Sequence, residues 1–482
     1  MLPATNKRLE RQWYSMKKAF IALALLLVCI QAFAQQQEKL IDIIKPYGIP
    51  GIQLVCIKGN KIQNFNIGFR SKGSDKRVTS NTVFEAASLS KCVFSYIVMR
   101  LYDHGQISLD TPLMHYMGSY DRFDPKDPRY VKITARMVLR HTTGLPNWGG
   151  KYAELIFTPD STFSYSGEGF QYLQHTVEKL TGKSLNELAQ QEVFTPLGMT
   201  NSSYTWTSKF DTLAAFGSSP EAVNNHKNQM AAASLLTCAR DYAIFLQALI
   251  SGKGLKPETQ KMMFTTQSNA DWYKHNIDAE TKKHISWGLG VGLQENETGK
   301  WIWHWGDNGD FKAFYIANPE KKELLVYFTY STWGLHVTTD ILNTFFSKQT
   351  WWPCLWTGYQ FHELERMKAF WANLDKQGYN HATEIDKEMK QKDSGFNLPE
   401  DDVNDLGFIL MRDEKKKEAV EIFKYNLDLH PGSANAYDSL AEGYDALGDK
   451  ESAIKNFKKA VELNPKNTYA AEQIKKLEEA KK

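Results

Sequence analysis

Hydrophobic and polar residues alternate in two parts of the chain, one near its beginning and one after residue 300. Gly51 to Lys58 alternates towards a strand, Gly59-Asn60 is a hairpin turn signal, and Lys61 to Phe69 is the expected return strand. The later part predicts three further strands, at 301–306, Phe311 to Ala317 and Glu323 to Tyr330.

Between these two parts the apolar positions follow helical spacing. Predicted helices run from Ser88 to about His104, Ile133 to Leu139, Leu185 to Phe194 and Ala231 to Ile250, with Thr338 to Phe346 as a closing helix. Strands therefore lie at both ends and helices in the middle. The simplest fold is α/β of the α+β type: one largely antiparallel sheet flanked by helices, with an inserted helical lobe.

The last part of the chain repeats itself at an offset of 34 residues. Five positions recur: Leu406, Ala419, Phe423, Leu429 and Pro431 return as Leu440, Ala453, Phe457, Leu463 and Pro465. The period, the A-x-x-x-F spacing and the late proline resemble the tetratricopeptide repeat, against an alternative of generic amphipathic helices. This all-α repeat region predicts a protein partner or self-association, because stacked helix pairs present grooves for peptides.

Composition limits the partners and cofactors. The chain has 482 residues, 42% of them hydrophobic and 13% aromatic, enough for two or three domains with real cores. The first 34 residues carry a net charge of +4, which leaves −1 for the remainder and predicts no binding to nucleic acid. Because HExxH and zinc-type ligand spacings do not occur in the sequence, neither a metal nor another cofactor is expected.

The N-terminus has the pattern of a signal peptide. Lys17-Lys18 precedes an apolar run from Ala19 to Ile30, and Ala32-Phe33-Ala34 is a cleavage site before Gln35. An uncleaved anchor is the alternative, but the run is about 12 residues against about 20 for a membrane span. The mature chain is therefore expected to be periplasmic or secreted, with no membrane span after cleavage.

Ser88 and Lys91 form a candidate nucleophile and base. On a helix they lie one turn apart on the same face. Burial lowers the pKa of a lysine, and the neutral amine can then take the serine proton. The same spacing at Ser15/Lys18 and Ser452/Lys455 is interpreted as solvated polar surface, so the pair needs further context.

Two motifs that follow Ser88-x-x-Lys91 supply that context, namely Tyr165-Ser166-Gly167 and His304-Trp305-Gly306. Together with signatures such as 140–146 and 196–199, they resemble the serine β-lactamase and penicillin-binding-protein superfamily, over about residues 38 to 347. The branch is that of class C enzymes, D-Ala-D-Ala carboxypeptidases and esterases. The domains implied are a signal peptide (1–34), a β-lactamase-like serine hydrolase domain (35–350), an aromatic and helical connector (351–397) and tetratricopeptide-like repeats (398–482).

This resemblance implies an acyl-enzyme mechanism. Ser88 is the nucleophile and Lys91 its base. Tyr165 passes the proton to the leaving group, with its phenolate favoured by neighbouring cations. His141 lies in a segment that is a structural turn in the family, and Cys92 is interpreted as core.

The resemblance also implies the substrate-binding residues. The oxyanion hole pairs the backbone N–H of Ser88 with that of Asp307. His304 stands where penicillin-handling members often carry lysine, and Gly306 lets substrate approach the strand. Gly167 replaces the usual asparagine or serine. An imidazole in place of that lysine weakens a fixed anchor for a substrate carboxylate, and the negative charge of Asp307 would repel the carboxylate further. Both effects favour esters or neutral ends over penicillins.

The function expected from these residues is that of an exported serine hydrolase with a small-molecule or peptide substrate. Candidate substrates are D-amino-acid peptides of the cell wall and small esters, attacked through a Ser88 acyl-enzyme. One alternative is a non-catalytic binding or sensing module whose repeats recognise a partner. Another is a true β-lactamase.

Overall fold

A computed structural model of the chain describes residues 13–14, 16–17, 20, 31–216, 226–272, 277–359, 364–412, 415–465 and 467–479. The chain divides into two compact units, Met1–Thr357 and Gly358–Lys482. Most of the expected signal peptide lies outside the described residues. Across the described ranges, we find no helix with the length and apolar character needed to cross a membrane.

The first unit is built on an antiparallel sheet of eight strands, in the order β2-β1-β10-β9-β8-β7-β6-β5, with a separate two-stranded pair, β3-β4. The strands are β1 Gly51–Lys58, β2 Lys61–Gly68, β3 Phe84–Glu85, β4 Leu236–Thr237, β5 Ser268–Asn269, β6 Ile285–Trp287, β7 Gly292–Asn296, β8 Gly299–Asn308, β9 Phe311–Asn318 and β10 Glu323–Tyr330. The order confirms the expected fold class, including the hairpin at Gly59-Asn60, where Lys58 pairs with Lys61.

The helices of the first unit lie largely between the early hairpin and the late strands. They are α1 31–44, α2 Ser90–Asp103, α3 Leu113–Met117, α4 Ala135–Leu139, α5 Gly167–Thr181, α6 Leu185–Ala189, α7 Thr195–Leu197, α8 Phe210–Leu213, α9 Ala239–Ser251, α10 Pro257–Met263, α11 Ala279–His284, α12 Thr338–Phe345 and α13 Trp352–Trp356. Short 3-10 turns cover Lys45–Tyr47, Ala87–Leu89, Pro128–Lys132 and Thr332–Leu335, and a π-helical turn covers Gln190–Phe194.

Helix α2 is the central helix of this unit. Eleven of its fourteen residues are buried, among them Lys91. A helix that is enclosed nearly all round belongs to the interior rather than to the surface. Strand β9 is buried along its whole length as well, because it lies in the middle of the sheet. The residues that follow Ser88 are therefore held rigidly between sheet and helices.

One predicted helix, Ala231 to Ile250, is wrong in its first third. The helix begins only at Ala239. Before it, Leu236–Thr237 forms strand β4 and pairs with Phe84–Glu85, and the alanines around Ala232 lie in a turn. Alanine favours helix locally, but pairing with the strand that leads to Ser88 prevails over that propensity.

The second unit is helical. Its helices are α14 Leu364–Gln377, α15 Ala382–Lys392, α16 Glu400–Arg412, α17 Lys416–Leu429, α18 Ala434–Leu447, α19 Lys450–Leu463 and α20 Thr468–Glu479. The recurring residues Ala419, Phe423, Ala453 and Phe457 are at most 1% exposed, as positions that pack one repeat helix on the next should be. Within the aromatic and helical connector expected over 351–397, the helix that begins at Leu364 ends before Gly378, whose φ of 102° a helix cannot contain.

Candidate active site

Ser88 lies in the 3-10 turn Ala87–Leu89, directly before helix α2. Strand β3 leads into this turn, and the Ala86 N–H donates to the Leu235 carbonyl at 2.7 Å. Ala87 adopts a φ of 47°, an uncommon value for a residue with a side chain and one that often marks functional sites. Ser88 is half-buried, so its hydroxyl is held at the amino end of α2 yet stays accessible.

Two buried tyrosines donate hydrogen bonds to backbone carbonyl groups just after Ser88. The Tyr242 hydroxyl donates to the Leu89 carbonyl at 2.9 Å, and the Tyr204 hydroxyl donates to the Ser90 carbonyl at 2.7 Å. Sequence reasoning missed both, because a tyrosine within an apolar stretch gives no sign of which carbonyl it will reach.

Lys91 is fully buried beside Ser88. Its Nζ donates to Ser88 Oγ at 3.1 Å and to the Ala232 carbonyl at 2.8 Å. Burial lowers the pKa of Lys91 to about 7. The amine is therefore neutral for a large fraction of the time near neutral pH, which is the state that accepts a proton.

Tyr165 is another neighbour of the Lys91 amine. Lys91 Nζ is 4.7 Å from the centre of the Tyr165 ring. Burial raises the pKa of Tyr165 well above its ordinary value, and the nearby Ser88 hydroxyl lowers it by less. We therefore expect Tyr165 to be a neutral phenol rather than the phenolate predicted from the sequence, because desolvation is the larger of the two effects on its pKa.

His304 lies on β8 and is completely buried. Its ring centre is 5.9 Å from that of Tyr165. Nδ1 lies 2.7 Å from the Trp305 carbonyl oxygen, so Nδ1 carries the proton and donates it, and Nε2 finds no partner among the described residues. Burial, with Lys91 nearby, lowers the pKa of His304 to about 3. His304 is therefore a neutral group in this cluster and not a cation.

Gly306 brings β8 against the turn that carries Ser88. A Cβ at this position would lie 2.5 Å from the Ala86 carbonyl oxygen and 3.2 Å from the Ala87 Cβ. Only glycine allows this approach. The next residue, Asp307, follows this point of close approach, and its N–H stays the predicted second donor of an oxyanion hole.

The carboxylate of Asp307 is paired. Its Oδ1 lies 2.5 Å from Nζ of Lys312, which is fully buried on β9 directly opposite Asp307, and it also accepts the Gly309 N–H at 2.9 Å. The sequence argument treated the Asp307 charge as unbalanced. Lys312 balances it, so repulsion by Asp307 is no longer a reason to exclude carboxylate substrates.

His141, which sequence reasoning set aside as a turn residue, packs on Tyr165 with ring centres 4.4 Å apart. It does lie at a turn, with a φ of 58°. The Ser166 N–H donates to its Nδ1 at 3.1 Å, and burial holds the pKa of His141 far below its usual range. The sequence motif around His141 indicated a structural turn and did not show that the His141 imidazole would lie beside Tyr165.

Gly167 begins helix α5 beside this cluster. A Cβ on Gly167 would lie 2.6 Å from the Asn147 carbonyl oxygen and 3.0 Å from Cη2 of Trp148. Glycine rather than asparagine at position 167 therefore has a local cause. The backbone at Asn147 and the half-exposed Trp148 indole occupy the space that a side chain would need.

A carboxylate missed by sequence reasoning joins the segments around Ser88. Glu85 accepts the side-chain N–H of Asn308 at 2.7 Å and pairs with Nε2 of His226 at 2.9 Å. Asn308 also donates to the Ala233 carbonyl at 3.2 Å. Glu85 thus connects the strand before Ser88 to the end of β8 and to the turn whose Ala232 carbonyl holds Lys91.

The structure brings together every residue that the sequence nominated: Ser88, Lys91, Tyr165, His304, Gly306 and Asp307. Within the described ranges, no three His, Cys, Asp or Glu side chains are arranged to hold a metal ion. A half-exposed hydroxyl beside a buried amine can act as a nucleophile with its base. The roles of the individual residues stay predictions.

This fold and this cluster define a serine hydrolase of the class that pairs its serine with a buried lysine. A family model described as Beta-lactamase matches residues 30–336, and one described as Tetratricopeptide repeat matches residues 434–467. The chain belongs to the beta-lactamase family, with a tetratricopeptide repeat near its C-terminal end. Both resemblances expected from the sequence are thereby confirmed.

Among curated proteins, the chain is similar to the D-alanyl-D-alanine-carboxypeptidase/endopeptidase AmpH of Escherichia coli (strain K12), with 29% identity over 181 residues. That alignment covers 33% of this chain and 46% of AmpH. The chain thus spans about half the length of the curated relatives it matches, such as Penicillin-binding protein 4 of Amycolatopsis lactamdurans, of which it covers 48%.

Two solved structures show the same fold at low identity. One is a beta-lactamase/D-alanine carboxypeptidase from Yersinia pestis, with 20% identity, a TM-score of 0.51, and coverage of 61% of this chain and 92% of that chain. The other is a D-amino acid amidase from Ochrobactrum anthropi SV3, with 18% identity, a TM-score of 0.52, and coverage of 65% and 98%.

Proposed function

We propose that this chain is an exported serine hydrolase that acts through an acyl-enzyme on Ser88, on D-amino-acid peptides or small esters. The observation that carries the proposal is the hydrogen bond from Lys91 Nζ to Ser88 Oγ at 3.1 Å. It joins a half-exposed hydroxyl to an amine whose pKa burial lowers to about 7. The names of the relatives, a D-alanyl-D-alanine carboxypeptidase and a D-amino acid amidase, support the substrate class.

In the proposed reaction, neutral Lys91 takes the Ser88 proton while Oγ attacks the carbonyl carbon. The charge on the carbonyl oxygen is stabilised by the N–H groups of Ser88 and Asp307. The bond to the leaving group then breaks, and the proton passes through the Tyr165 hydroxyl to that group. Water repeats the sequence on the ester of Ser88 and releases the acid.

The pH dependence of kcat/KM follows from these groups. Because Lys91 must be neutral, kcat/KM should rise with pH through about 7 and then level off. Burial keeps His304 and His141 neutral far below that pH and raises the pKa of Tyr165 far above it. A rate that fell as pH rose from about 6 to 8 would contradict a neutral Lys91 as the base.

The central test is covalent labelling of Ser88. A fluorophosphonate probe should label the wild-type chain and should not label Ser88→Ala; equal labelling of both would overturn the proposal. Turnover should then be compared on a D-Ala-D-Ala peptide, its C-terminal amide, a nitrophenyl ester and a chromogenic cephalosporin.

Export is proposed from the signal-peptide pattern alone. Expression with the native N-terminus in a Gram-negative host should yield a mature chain that begins at Gln35, as measured by intact mass. Retention of residues 1–34 on a chain that stays in the cytosolic fraction would refute export without affecting the hydrolase assignment.

A further inference from the structure

The position of the Tyr165 hydroxyl is set by packing. Apart from the Ser88 hydroxyl close to it, this hydroxyl has no hydrogen-bond partner among the described residues. Its ring is enclosed by other rings: the centre of Trp305 lies 4.7 Å away and that of Trp272 lies 5.7 Å away. Because Tyr165 is the proposed proton carrier to the leaving group, the side chains that fix its ring also fix the path of that proton.

Trp356 packs against both Trp272 and Trp305. Its ring centre lies 5.1 Å from that of Trp272, nearly parallel to it at 23°, and 5.5 Å from that of Trp305 at 71°. Its indole N–H donates to the Ala270 carbonyl at 2.8 Å. Trp356 is only 4% exposed. A large ring held by both packing and a hydrogen bond has little freedom to shift.

Trp356 stands outside the part of the chain that defines the family. The family match ends at residue 336, whereas Trp356 lies on α13, immediately before the first unit ends at Thr357. The sequence placed this residue in an aromatic connector. In the fold it belongs to the aromatic cluster that surrounds Tyr165.

We propose that Trp356 is a positioning residue for Tyr165, acting through Trp272 and Trp305. This inference rests on the proposed function, since it concerns proton delivery in the same reaction. If Trp356 positions Tyr165, then helix α13, which lies beyond the family match, contributes to the hydrolase site. Trp356 touches neither Ser88 nor Lys91, so attack on the carbonyl should be less sensitive to it than protonation of the leaving group.

The leaving group distinguishes these two steps. When an alkyl ester is cleaved, the bond from carbonyl carbon to alkoxide oxygen breaks and that oxygen must receive the proton from Tyr165. A nitrophenolate leaves as a stable anion and needs no proton. A displaced Tyr165 should therefore slow alkyl esters much more than nitrophenyl esters.

The experiment uses the full chain with Trp356→Ala, Trp356→Phe and the matched control Trp351→Ala. Trp351 is equally buried, at 2% exposed, and lies five positions earlier, but it packs on Trp301 and Phe346. Trp356→Ala should reduce kcat/KM, which reports the acylation step, by about 10- to 100-fold more on an alkyl ester than on the matching nitrophenyl ester. Tyr165→Phe should show the same selectivity, Trp356→Phe should restore most of the loss, and Trp351→Ala should show none.

Equal losses on the two esters for Trp356→Ala, or the same selectivity in Trp351→Ala, would overturn the inference. If Trp356→Ala does not fold, Trp356→Leu keeps an apolar side chain, and its selectivity should lie in the same direction; an unselective loss would again refute the idea. The proposed function fails separately, if Ser88→Ala keeps wild-type turnover on both esters.

Discussion

Replacing Lys91 by methionine should abolish hydrolysis and, at neutral pH, stabilise the fold. Methionine fills similar space without a charge. Burial lowers the pKa of Lys91 from its usual 10.5 to about 7. In the unfolded chain the amine keeps its usual pKa, so between these two values the unfolded state binds more protons. The contribution of Lys91 to wild-type stability therefore becomes more favourable as pH rises through this window.

The magnitude follows from the pKa difference. At about 1.4 kcal/mol for each pH unit, burying Lys91 costs the folded state about 5 kcal/mol at or below pH 7, and the cost declines to zero near pH 10.5. Methionine removes that cost but leaves the buried Ala232 carbonyl without its donor, at about 1–3 kcal/mol. The variant should therefore be more stable by about 2–4 kcal/mol near pH 7, and this advantage should vanish near pH 9.

Urea unfolding of wild type and Lys91→Met, measured from about pH 6 to 9, tests this reasoning. Lys261→Met serves as control, because Lys261 is an exposed lysine on α10. Replacing this exposed side chain should change the free energy of unfolding by no more than about 0.5 kcal/mol. If the difference between wild type and Lys91→Met were independent of pH, or if the variant were less stable at pH 7, Lys91 would not be a buried amine that gives up its proton on folding.

Two glycines give further predictions. Gly306→Ala should lower kcat about 10- to 100-fold, because its Cβ would push β8 away from the Ala86 carbonyl and from the Ser88 turn. The control is Gly150→Ala, which should leave kcat unchanged because a Cβ at Gly150 meets open space. Gly167→Asn should cost about 1–3 kcal/mol in denaturant unfolding through overlap with the Asn147 carbonyl, and it should not create cephalosporin turnover.

The parts of the site that could be predicted from sequence are those fixed by short spacings. Ser88 and Lys91 lie within one helical turn of each other, so a helix alone brings their side chains together. The strand that carries His304 and Gly306 could be predicted because the residue types over 301–306 alternate with a period of two. Local periodicity of this kind requires no knowledge of the rest of the fold.

The parts that escaped prediction depend on contacts between distant segments. The Ala232 carbonyl that holds Lys91 lies in a stretch whose composition favours helix, and only its proximity to β4 explains the turn. Lys312 faces Asp307 because of the β8–β9 register, which the sequence does not specify residue by residue. Trp356 joins the Tyr165 cluster across nearly two hundred residues of chain.

The charges of the site support one of the two reasons for expecting esters and neutral substrate ends, namely the lack of a fixed cation at His304. In the described part of this cluster, burial keeps His304 and His141 neutral by lowering the pKa of each, and Lys91 must itself be neutral to act as base. Lys312 is fully buried and paired with Asp307. A substrate carboxylate thus gains no fixed positive charge from these groups. The neutral imidazole of His304, rather than repulsion by Asp307, is the physical reason to expect neutral substrate ends.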